Sequence, residues 1–181
     1  FYIVRVEGGY FTMPLWQLPV GGRLWCGPKI KGKFTLEEVP RDTDIVMVAT
    51  GTGLAPFVSM LREHTAQPPW KSVALIHGAR VQSDLGYRKE LESLEQSTPW
   101  FHYLPTLTRE PAGSSWQGQR GRVQRLFQEG YVASALGRPL SRETTHILLC
   151  GNPVMITDLE DYFATLGLKP HKRKDPGNIH V

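Results

Sequence analysis

From residue 44 onward, the chain alternates between continuous apolar segments and amphipathic ones. Residues 45–49 and 73–77 are short apolar runs rich in branched side chains, as is typical of central strands that are covered on both faces. Leu85, Arg88, Leu91 and Leu94 recur at helical spacing, and this predicts an amphipathic helix with Asp84 as its cap. Such alternation predicts βαβ units around a parallel sheet.

The rest of the pattern predicts the other strands and helices of this part and a different structure for the residues before it. Strands are predicted at residues 103–107 and 147–150, an edge strand at 169–174, and helices at 121–128 and 153–166. Residues 1–36 instead carry short strand-like pieces, beginning with residues 1–6, that glycine and proline interrupt, as in an antiparallel sheet. We therefore predict a boundary near residue 40, followed by an α/β unit with a five-stranded parallel sheet and helices on both faces.

A glycine-rich turn follows the first apolar run. It reads Thr50-Gly51-Thr52-Gly53, with Pro56 just beyond. Gly51 and Gly53 can take positive φ and admit a ligand to the main chain, while Pro56 suits the first turn of a helix. The N-terminus of that helix would offer free N–H groups to a pyrophosphate. The turn therefore predicts a phosphate site, and the alternative is an ordinary strand–helix turn.

Four further blocks follow this turn along the chain. They read His77-Gly78-Ala79-Arg80, Thr108-Arg109-Glu110, Gly121-Arg122-Val123 and Cys150-Gly151-Asn152-Pro153-Val154-Met155. In order and approximate spacing the blocks resemble the bacterial ferredoxin/flavodoxin–NADP reductases over nearly the whole chain. The resemblance implies an NADP-binding α/β domain of the ferredoxin reductase type over residues 41–181. Residues 1–40 would be the C-terminal part of the antiparallel flavin-binding β-barrel that precedes it.

The resemblance also assigns candidate roles. Since ligands of open parallel sheets lie beyond the carboxyl ends of the strands, all the blocks predict one site at one edge. By resemblance, the turn at residues 50–53 holds the pyrophosphate, and Arg109 and Arg122 clasp the 2′-phosphate of NADP. Arg120 follows a longer loop and is the alternative or assistant to Arg122. The other nucleotide-binding candidates are Arg80, Thr108, Gly151, Asn152, Pro153 and Met155, the last with core packing as the alternative.

Cys150 is the candidate catalytic residue. By resemblance it lies beside the stacked nicotinamide and flavin rings, where its role is steric and orienting because the two cofactors carry the hydride chemistry. The alternative is a buried cysteine that only packs. His77 is interpreted as a packed histidine at a strand end rather than as a catalyst.

The resemblance implies a reaction as well. Hydride would pass between NADPH and FAD, and single electrons would then pass between the flavin and ferredoxin or flavodoxin. The alternatives are an NADP-binding or regulatory module without turnover and the reductase component of an oxygenase.

For FAD, Gly9 and Thr12 are the candidate contacts, because their segment resembles one near the flavin pyrophosphate in the family; a plain hairpin is the alternative. Residues 27–34 resemble the turn before the linker between the domains. The chain begins at Phe1 without methionine, and the family's Arg-x-Tyr-Ser motif and closing aromatic residues are missing. We therefore expect a fragment that lacks most of the FAD site.

Composition narrows the function classes further. Cys26 and Cys150 are the two cysteines of the 181-residue chain, too few for a disulfide framework or an iron–sulfur cluster. We therefore expect no metal and a cytoplasmic location. No apolar run approaches the roughly 18–20 residues of a membrane span, so no membrane partner is expected. The net charge of +4 is scattered, which argues against nucleic acid and suits an acidic redox partner.

Overall fold

The computed structural model describes residues 1–29, 32–64, 66 and 68–181. Its centre is a six-stranded parallel sheet with the strand order β4-β3-β2-β1-β5-β6. The strands are β1 (Asp44–Thr50), β2 (Ser72–Ala79), β3 (Phe101–Leu107), β4 (Gln119–Arg120), β5 (Thr145–Cys150) and β6 (Ile179–His180). The helices are α1 (Thr12–Gln17), α2 (Leu54–His64), α3 (Arg88–Ser97), α4 (Val123–Gln128), α5 (Tyr131–Leu136) and α6 (Pro153–Thr165).

The apolar runs form the middle of the sheet because both of their faces are covered. Successive side chains of β1 point to opposite faces, so Met47 packs with Phe57 of α2 and Leu91 of α3. Val48 packs in the second core, to which Phe127 of α4 and Phe163 of α6 belong. The prediction of a parallel α/β unit with helices on both faces is confirmed.

The order of the strands reverses beside β1. The chain adds β2, β3 and β4 on one side of β1, then returns to place β5 and β6 on the other side. Asp44 and Thr145 are register partners at the start of the β1–β5 pair. The loops after β1 and β5 therefore leave the sheet on either side of a crevice at its carboxyl edge, where ligands of such sheets bind.

Two strands differ from the predicted set of five. Residues 119–120 add the short strand β4, which pairs with Thr106 and Leu107. The edge strand is not at residues 169–174, where Pro170 and Lys172 make only isolated bridges. The last strand is β6 instead, because Ile179 can be buried at 1% exposure in the second core, whereas the lysines at 169–174 cannot.

The strands predicted within residues 1–36 are wrong for the described residues. Residues 1–29 and 32–43 contain the short helix α1 and no strand. Glycine and proline punctuation fits irregular chain as well as hairpins, and strands form only where a neighbouring strand pairs with them. Ile30 and Lys31, in the turn predicted at residues 27–34, lie outside the described residues. The domain boundary near residue 40 stays a prediction.

The N-terminal segment packs against the α/β unit through aromatic rings. The ring of Tyr2 lies 5.5 Å from that of Tyr87, and the ring of Phe34 lies 5.8 Å from that of Phe57. Many other large apolar side chains of this segment are exposed, among them Phe1, Tyr10, Phe11, Trp16, Val20 and Trp25. None of the helices in the described ranges combines the length and apolarity needed to cross a membrane.

The helices predicted at residues 121–128 and 153–166 are confirmed as α4 and α6, but the start of α3 differs from the prediction. Asp84 is not its cap, since it belongs to a 3₁₀ turn, and α3 begins after Tyr87, whose φ is 56°. Helix α5 was not predicted. It lies between Gly130 and Gly137, whose φ angles are 77° and 70°.

His77 is a packed core residue. Its Nδ1 atom lies 2.9 Å from the Tyr103 hydroxyl on the neighbouring strand, and its side chain is 1% exposed. Burial lowers the pKa of His77 to about 4 and raises that of Tyr103 well above its usual value. Both groups are therefore neutral at physiological pH, in agreement with the packing interpretation of His77.

Three histidines meet where β5 and β6 form one side of the sheet. His146 Nδ1 lies 3.0 Å from His180 Nε2, and the His171 ring stacks on His180 with 4.7 Å between centroids. His171 also pairs with Glu38, whose carboxylate lies 3.0 Å from the His171 Nε2 atom. Burial, together with the charges of His146 and His171, lowers the pKa of His180 to about 4. This histidine cluster ties β5 and β6 to the segment before β1.

Candidate functional site at the carboxyl edge of the sheet

Thr50 joins the two sides of the crevice at the last residue of β1. Its hydroxyl oxygen accepts a hydrogen bond from the main-chain N–H of Asn152 at 2.9 Å. The same hydroxyl lies 3.7 Å from the sulfur of Met155, which is buried beneath it. The turn after β1 and the turn after β5 are therefore fixed to each other, and the candidate blocks of both strands lie together as predicted.

The two glycines of the turn after β1 have different roles. Gly51 takes a φ of 56°, and a Cβ placed on it would have no atom within 4 Å, so the main chain is open on that side. Gly53 does not take positive φ, and that part of the prediction is wrong. It is buried, and a Cβ there would overlap the Cys150 carbonyl and lie 2.8 Å from the Gly151 nitrogen. Gly53 thus allows the two turns to pack closely.

We expect Gly53→Ala to lower the free energy of unfolding by about 1–3 kcal/mol, because the added methyl group must push the turns apart. Chemical denaturation measures the change. Gly113→Ala is the matched control, since a Cβ there meets nothing within 4 Å and its φ is not positive. Equal stability of the Gly53 variant and the parent chain would contradict the packing role.

Gly151 and Asn152 shape the turn after β5. Gly151 has a φ of 150°, and a Cβ on it would overlap the Thr50 hydroxyl and lie 2.9 Å from the Thr50 nitrogen. The Asn152 side-chain oxygen accepts from the Val154 N–H at 2.8 Å, so Asn152 caps α6, and Pro153 occupies its first turn. These contacts account for the Gly-Asn-Pro sequence and leave the Gly151 main chain beside β1.

Cys150 ends β5 next to this turn and is half-buried. Burial raises the pKa of its thiol, so the sulfur is protonated at neutral pH and is a poor nucleophile. This agrees with a steric role and disfavours covalent catalysis.

Three exposed arginines follow neighbouring strands at the same edge. Arg80 follows β2, Arg109 lies two residues beyond β3, and Arg122 lies two residues beyond β4. The Arg109 N–H donates to the Arg80 carbonyl at 2.8 Å, which extends the pairing of the strands. Across the described ranges, no side chain forms an ion pair or hydrogen bond with these three guanidinium groups. Their charges therefore face solvent without a protein partner.

Arg120 differs from the other three. Its guanidinium donates to the carbonyl of Glu110 at 2.7 Å, and to the carbonyl of Pro111 and the hydroxyl of Ser114 at 3.3 Å each. Much of its donor capacity is thus used inside the loop between β3 and β4. This favours Arg122 over Arg120 as the second candidate contact to a phosphate.

Two residues to which the sequence analysis gave no role, Glu110 and Trp116, also hold this loop. The Glu110 carboxylate accepts from the Gln82 N–H at 2.8 Å, which ties the loop to the turn after β2. Trp116 is 6% exposed, donates to the Gln119 carbonyl at 2.9 Å, and has the Arg88 guanidinium 5.0 Å from its ring centre. In the sequence, the signal that could have indicated an anchored loop is the single tryptophan within the glycine- and serine-rich residues 113–118. Thr108, which donates to the Ala79 carbonyl, is exposed at its start.

The candidate flavin contacts are not brought to this edge by hydrogen bonding. The Thr12 hydroxyl donates to the Val6 carbonyl and accepts from the Val6 N–H, both at 3.2 Å. The Gly9 N–H donates to the same carbonyl at 3.0 Å. The plain hairpin considered as an alternative is not formed, because Thr12 starts the helix α1. The assignment of Gly9 and Thr12 to FAD stays a prediction. In the described parts of the chain, no group of three His, Cys, Asp or Glu side chains is arranged to hold a metal ion.

Comparison with known proteins assigns the chain to a family. Residues 47–161 match the model of the oxidoreductase NAD-binding domain, and this span includes both turns and all four arginines. The flavodoxin/ferredoxin–NADP reductase of Buchnera aphidicola (Baizongia pistaciae) is 30% identical over 181 residues, 99% of this chain and 72% of that protein. The chain belongs to the flavodoxin/ferredoxin–NADP reductase family. The resemblance deduced from the five blocks is confirmed.

Two further members show how much of the family the chain spans. The flavodoxin/ferredoxin–NADP reductase of Shigella flexneri is 34% identical over 161 residues, which are 88% of this chain and 64% of that protein. A ferredoxin NADP⁺ reductase of Neisseria gonorrhoeae, solved with bound FAD and NADP, superposes with a TM-score of 0.72 at 29% identity. The superposition covers 82% of this chain and 59% of that one. The chain therefore spans less than two thirds of the length of these two reductases.

Proposed function

We propose that this chain binds NADP(H) at the carboxyl edge of the sheet and serves a flavoprotein reductase. In the proposed reductase reaction, hydride passes between NADPH and FAD, and single electrons pass between FAD and ferredoxin or flavodoxin. The observation that carries the proposal is the set of three exposed arginines without a side-chain partner at the same edge of the sheet as the open turn at Gly51. A cationic edge that includes the N-terminus of α2 suits a ligand with a pyrophosphate and a further phosphate.

The nucleotide would lie across the crevice. We assign its pyrophosphate to the turn at residues 50–53, where the Gly51 main chain is open and α2 begins. Arg109 and Arg122 would clasp the 2′-phosphate, with Thr108 next to Arg109 after β3 and Arg80 at the end of the neighbouring β2. A guanidinium fork forms paired, charge-assisted hydrogen bonds to phosphate oxygens, so two forks select strongly for this group.

The nicotinamide end would lie over the point where Thr50 meets the turn after β5. Cys150, Gly151 and Asn152 surround this point, and the packing of Gly151 on Thr50 leaves the main chain without an intervening side chain. Pro153 and Met155 hold the turn from the α6 side. Because burial keeps the Cys150 sulfur protonated, its role is to orient the ring and exclude water, and no proton transfer is required of it.

FAD is the proposed second cofactor, and when bound it supplies the isoalloxazine ring that exchanges hydride with NADPH. Gly9 and Thr12 do not assemble a cradle for it in the described segment, because the Thr12 hydroxyl is engaged with Val6. The proposed partners are ferredoxin or flavodoxin, and the proposed compartment is the cytoplasm, consistent with Cys26 and Cys150 being unpaired.

A nucleotide titration of the 181-residue chain tests the binding part of the proposal. We expect NADP⁺ to bind at least about tenfold more tightly than NAD⁺, the factor that corresponds to about 1.4 kcal/mol of phosphate recognition. Calorimetry at fixed ionic strength measures both dissociation constants. Equal affinities for the two nucleotides would contradict the NADP assignment.

The reductase part is tested separately on the protein isolated from cells. We expect NADPH to support the reduction of ferredoxin or flavodoxin, and NADH to support it poorly. Tight NADP⁺ binding without electron transfer to either carrier would instead indicate a binding or regulatory module.

A further inference from the structure

Arg120 closes the loop that separates the two proposed phosphate arginines. It lies at the end of β4 as the register partner of Leu107, the last residue of β3. From there its guanidinium reaches back to the main chain of Glu110 and Pro111 and to the hydroxyl of Ser114. One side chain therefore connects the end of β4 to the residues that directly follow Arg109.

The same segment is held from two other directions. The Glu110 carboxylate accepts from the Gln82 N–H, and the Arg109 N–H donates to the Arg80 carbonyl, so the segment is attached to the end of β2. On the β4 side, the Gly121 N–H donates to the Leu107 carbonyl at 2.8 Å and the Gly121 carbonyl accepts from the Thr106 hydroxyl at 2.9 Å. The Arg120 side chain is the cross-link between these two attachments.

We propose that Arg120 is a positioning residue that sets the separation of Arg109 and Arg122 and so determines the preference for NADP over NAD. This rests on the proposed function, since it concerns the same site. Arg120 acts through its two neighbours and does not itself touch the 2′-phosphate. Its donors are directed at the loop, whereas those of Arg109 and Arg122 have no protein partner among the described residues.

The chemistry of the side chain explains why an arginine stands here. Its planar fork donates from two nitrogens in fixed directions, so it can hold the Glu110 carbonyl on one branch and Pro111 and Ser114 on the other. A lysine ammonium is a single point of attachment and would hold only part of this set. Without the clamp, the loop must be ordered when the nucleotide binds, and this ordering reduces affinity.

The experiment compares dissociation constants for NADP⁺ and NAD⁺ in two backgrounds. In the parent chain, we expect Arg120→Ala to weaken NADP⁺ binding about tenfold and NAD⁺ binding less than about twofold, as expected for added loop disorder at the phosphate site. Arg120→Lys should recover part of the loss. In the Arg109→Ala/Arg122→Ala background, Arg120→Ala should have no further effect, because the residues it positions are absent. Arg142→Ala is the control, since Arg142 is exposed before β5 and pairs with Glu143.

Four results would overturn the proposal, and each has a different meaning. An undiminished loss of NADP⁺ affinity in the double-alanine background would show direct phosphate contact by Arg120. Equal losses for NADP⁺ and NAD⁺, together with a lower melting temperature, would show a purely structural role. If Arg109→Ala/Arg122→Ala leaves the preference for NADP⁺ unchanged, the proposed phosphate site fails and this inference fails with it. If the preference for NADP⁺ is lost in the Arg109→Ala/Arg122→Ala variant but retained in the Arg120→Ala variant, this inference fails and the proposed phosphate site stands.

Discussion

Replacing Arg109 and Arg122 together with alanine should weaken NADP⁺ binding by a few hundred-fold or more and leave NAD⁺ binding nearly unchanged. A hydrogen bond to a charged group contributes about 1.5–3 kcal/mol, so two arginines contribute roughly 3–5 kcal/mol with imperfect additivity. At about 1.4 kcal/mol per tenfold, this corresponds to on the order of several hundred-fold. NAD⁺ lacks the 2′-phosphate and does not gain these contacts. Neither side chain has a protein partner in the described structure, so their removal should leave the fold intact.

Calorimetric titration of both nucleotides at fixed ionic strength measures this difference. Arg142→Ala is again the control, because it removes one positive charge from a residue before β5, away from the carboxyl edge. A matching loss for NAD⁺ and NADP⁺ would mean that the two arginines support the fold or the pyrophosphate. The NADP assignment would then have to be withdrawn.

The domain should also lose about 4 kcal/mol of its free energy of unfolding between pH 7 and pH 5. His77 and His180 have pKa values of about 4 in the folded state, against an ordinary value of 6.5. Below pH 6.5 the unfolded chain therefore binds protons that the folded chain excludes, and stability falls until about pH 4. At pH 5 this amounts to about 2 kcal/mol for each ring. His146, whose pKa is also lowered by burial, adds to the loss in the same direction.

Urea denaturation at several pH values tests this prediction. His77→Gln removes one titrating ring and keeps an amide that can bond to the Tyr103 hydroxyl, so we expect the loss between pH 7 and pH 5 to shrink by about 2 kcal/mol. His102→Gln on β3 is the matched control, because His102 is only partly buried. A pH dependence that is the same in the His77 variant and the parent chain would assign the acid sensitivity to other groups.

The sequence was most informative where burial alone decides the structure. The apolar runs at residues 45–49 and 73–77 predicted β1 and β2 to within two residues at each end. Once the strand ends were located, the candidate blocks followed at the correct edge, because parallel strands share a carboxyl edge. Burial on both faces leaves a strong local signal, and such strands need no knowledge of their partners to be recognised.

The failures share a different physical cause, which is dependence on distant contacts. Strands β4 and β6 have two residues each, and pairing with β3 and β5 decides whether they form. The apparent strands before residue 40 lack such a neighbour in the described chain. At the site, the roles of Gly53 and Arg120 depend on the atoms that each one contacts after folding. Gly53 packs on the Cys150 carbonyl, and Arg120 bonds to the main chain of the loop. Neither can be read from the residue type.

During synthesis, β1 emerges from the ribosome long before the strand that completes its pairing. Thr50 and Asn152, which hold the two sides of the crevice together, are 102 positions apart, whereas β2 begins soon after β1 ends. Until β5 is available, one edge of a largely apolar strand has unpaired main-chain groups that can associate with other chains. Nascent chains with this fold therefore depend on late closure by β5, and the crevice at the carboxyl edge is assembled last.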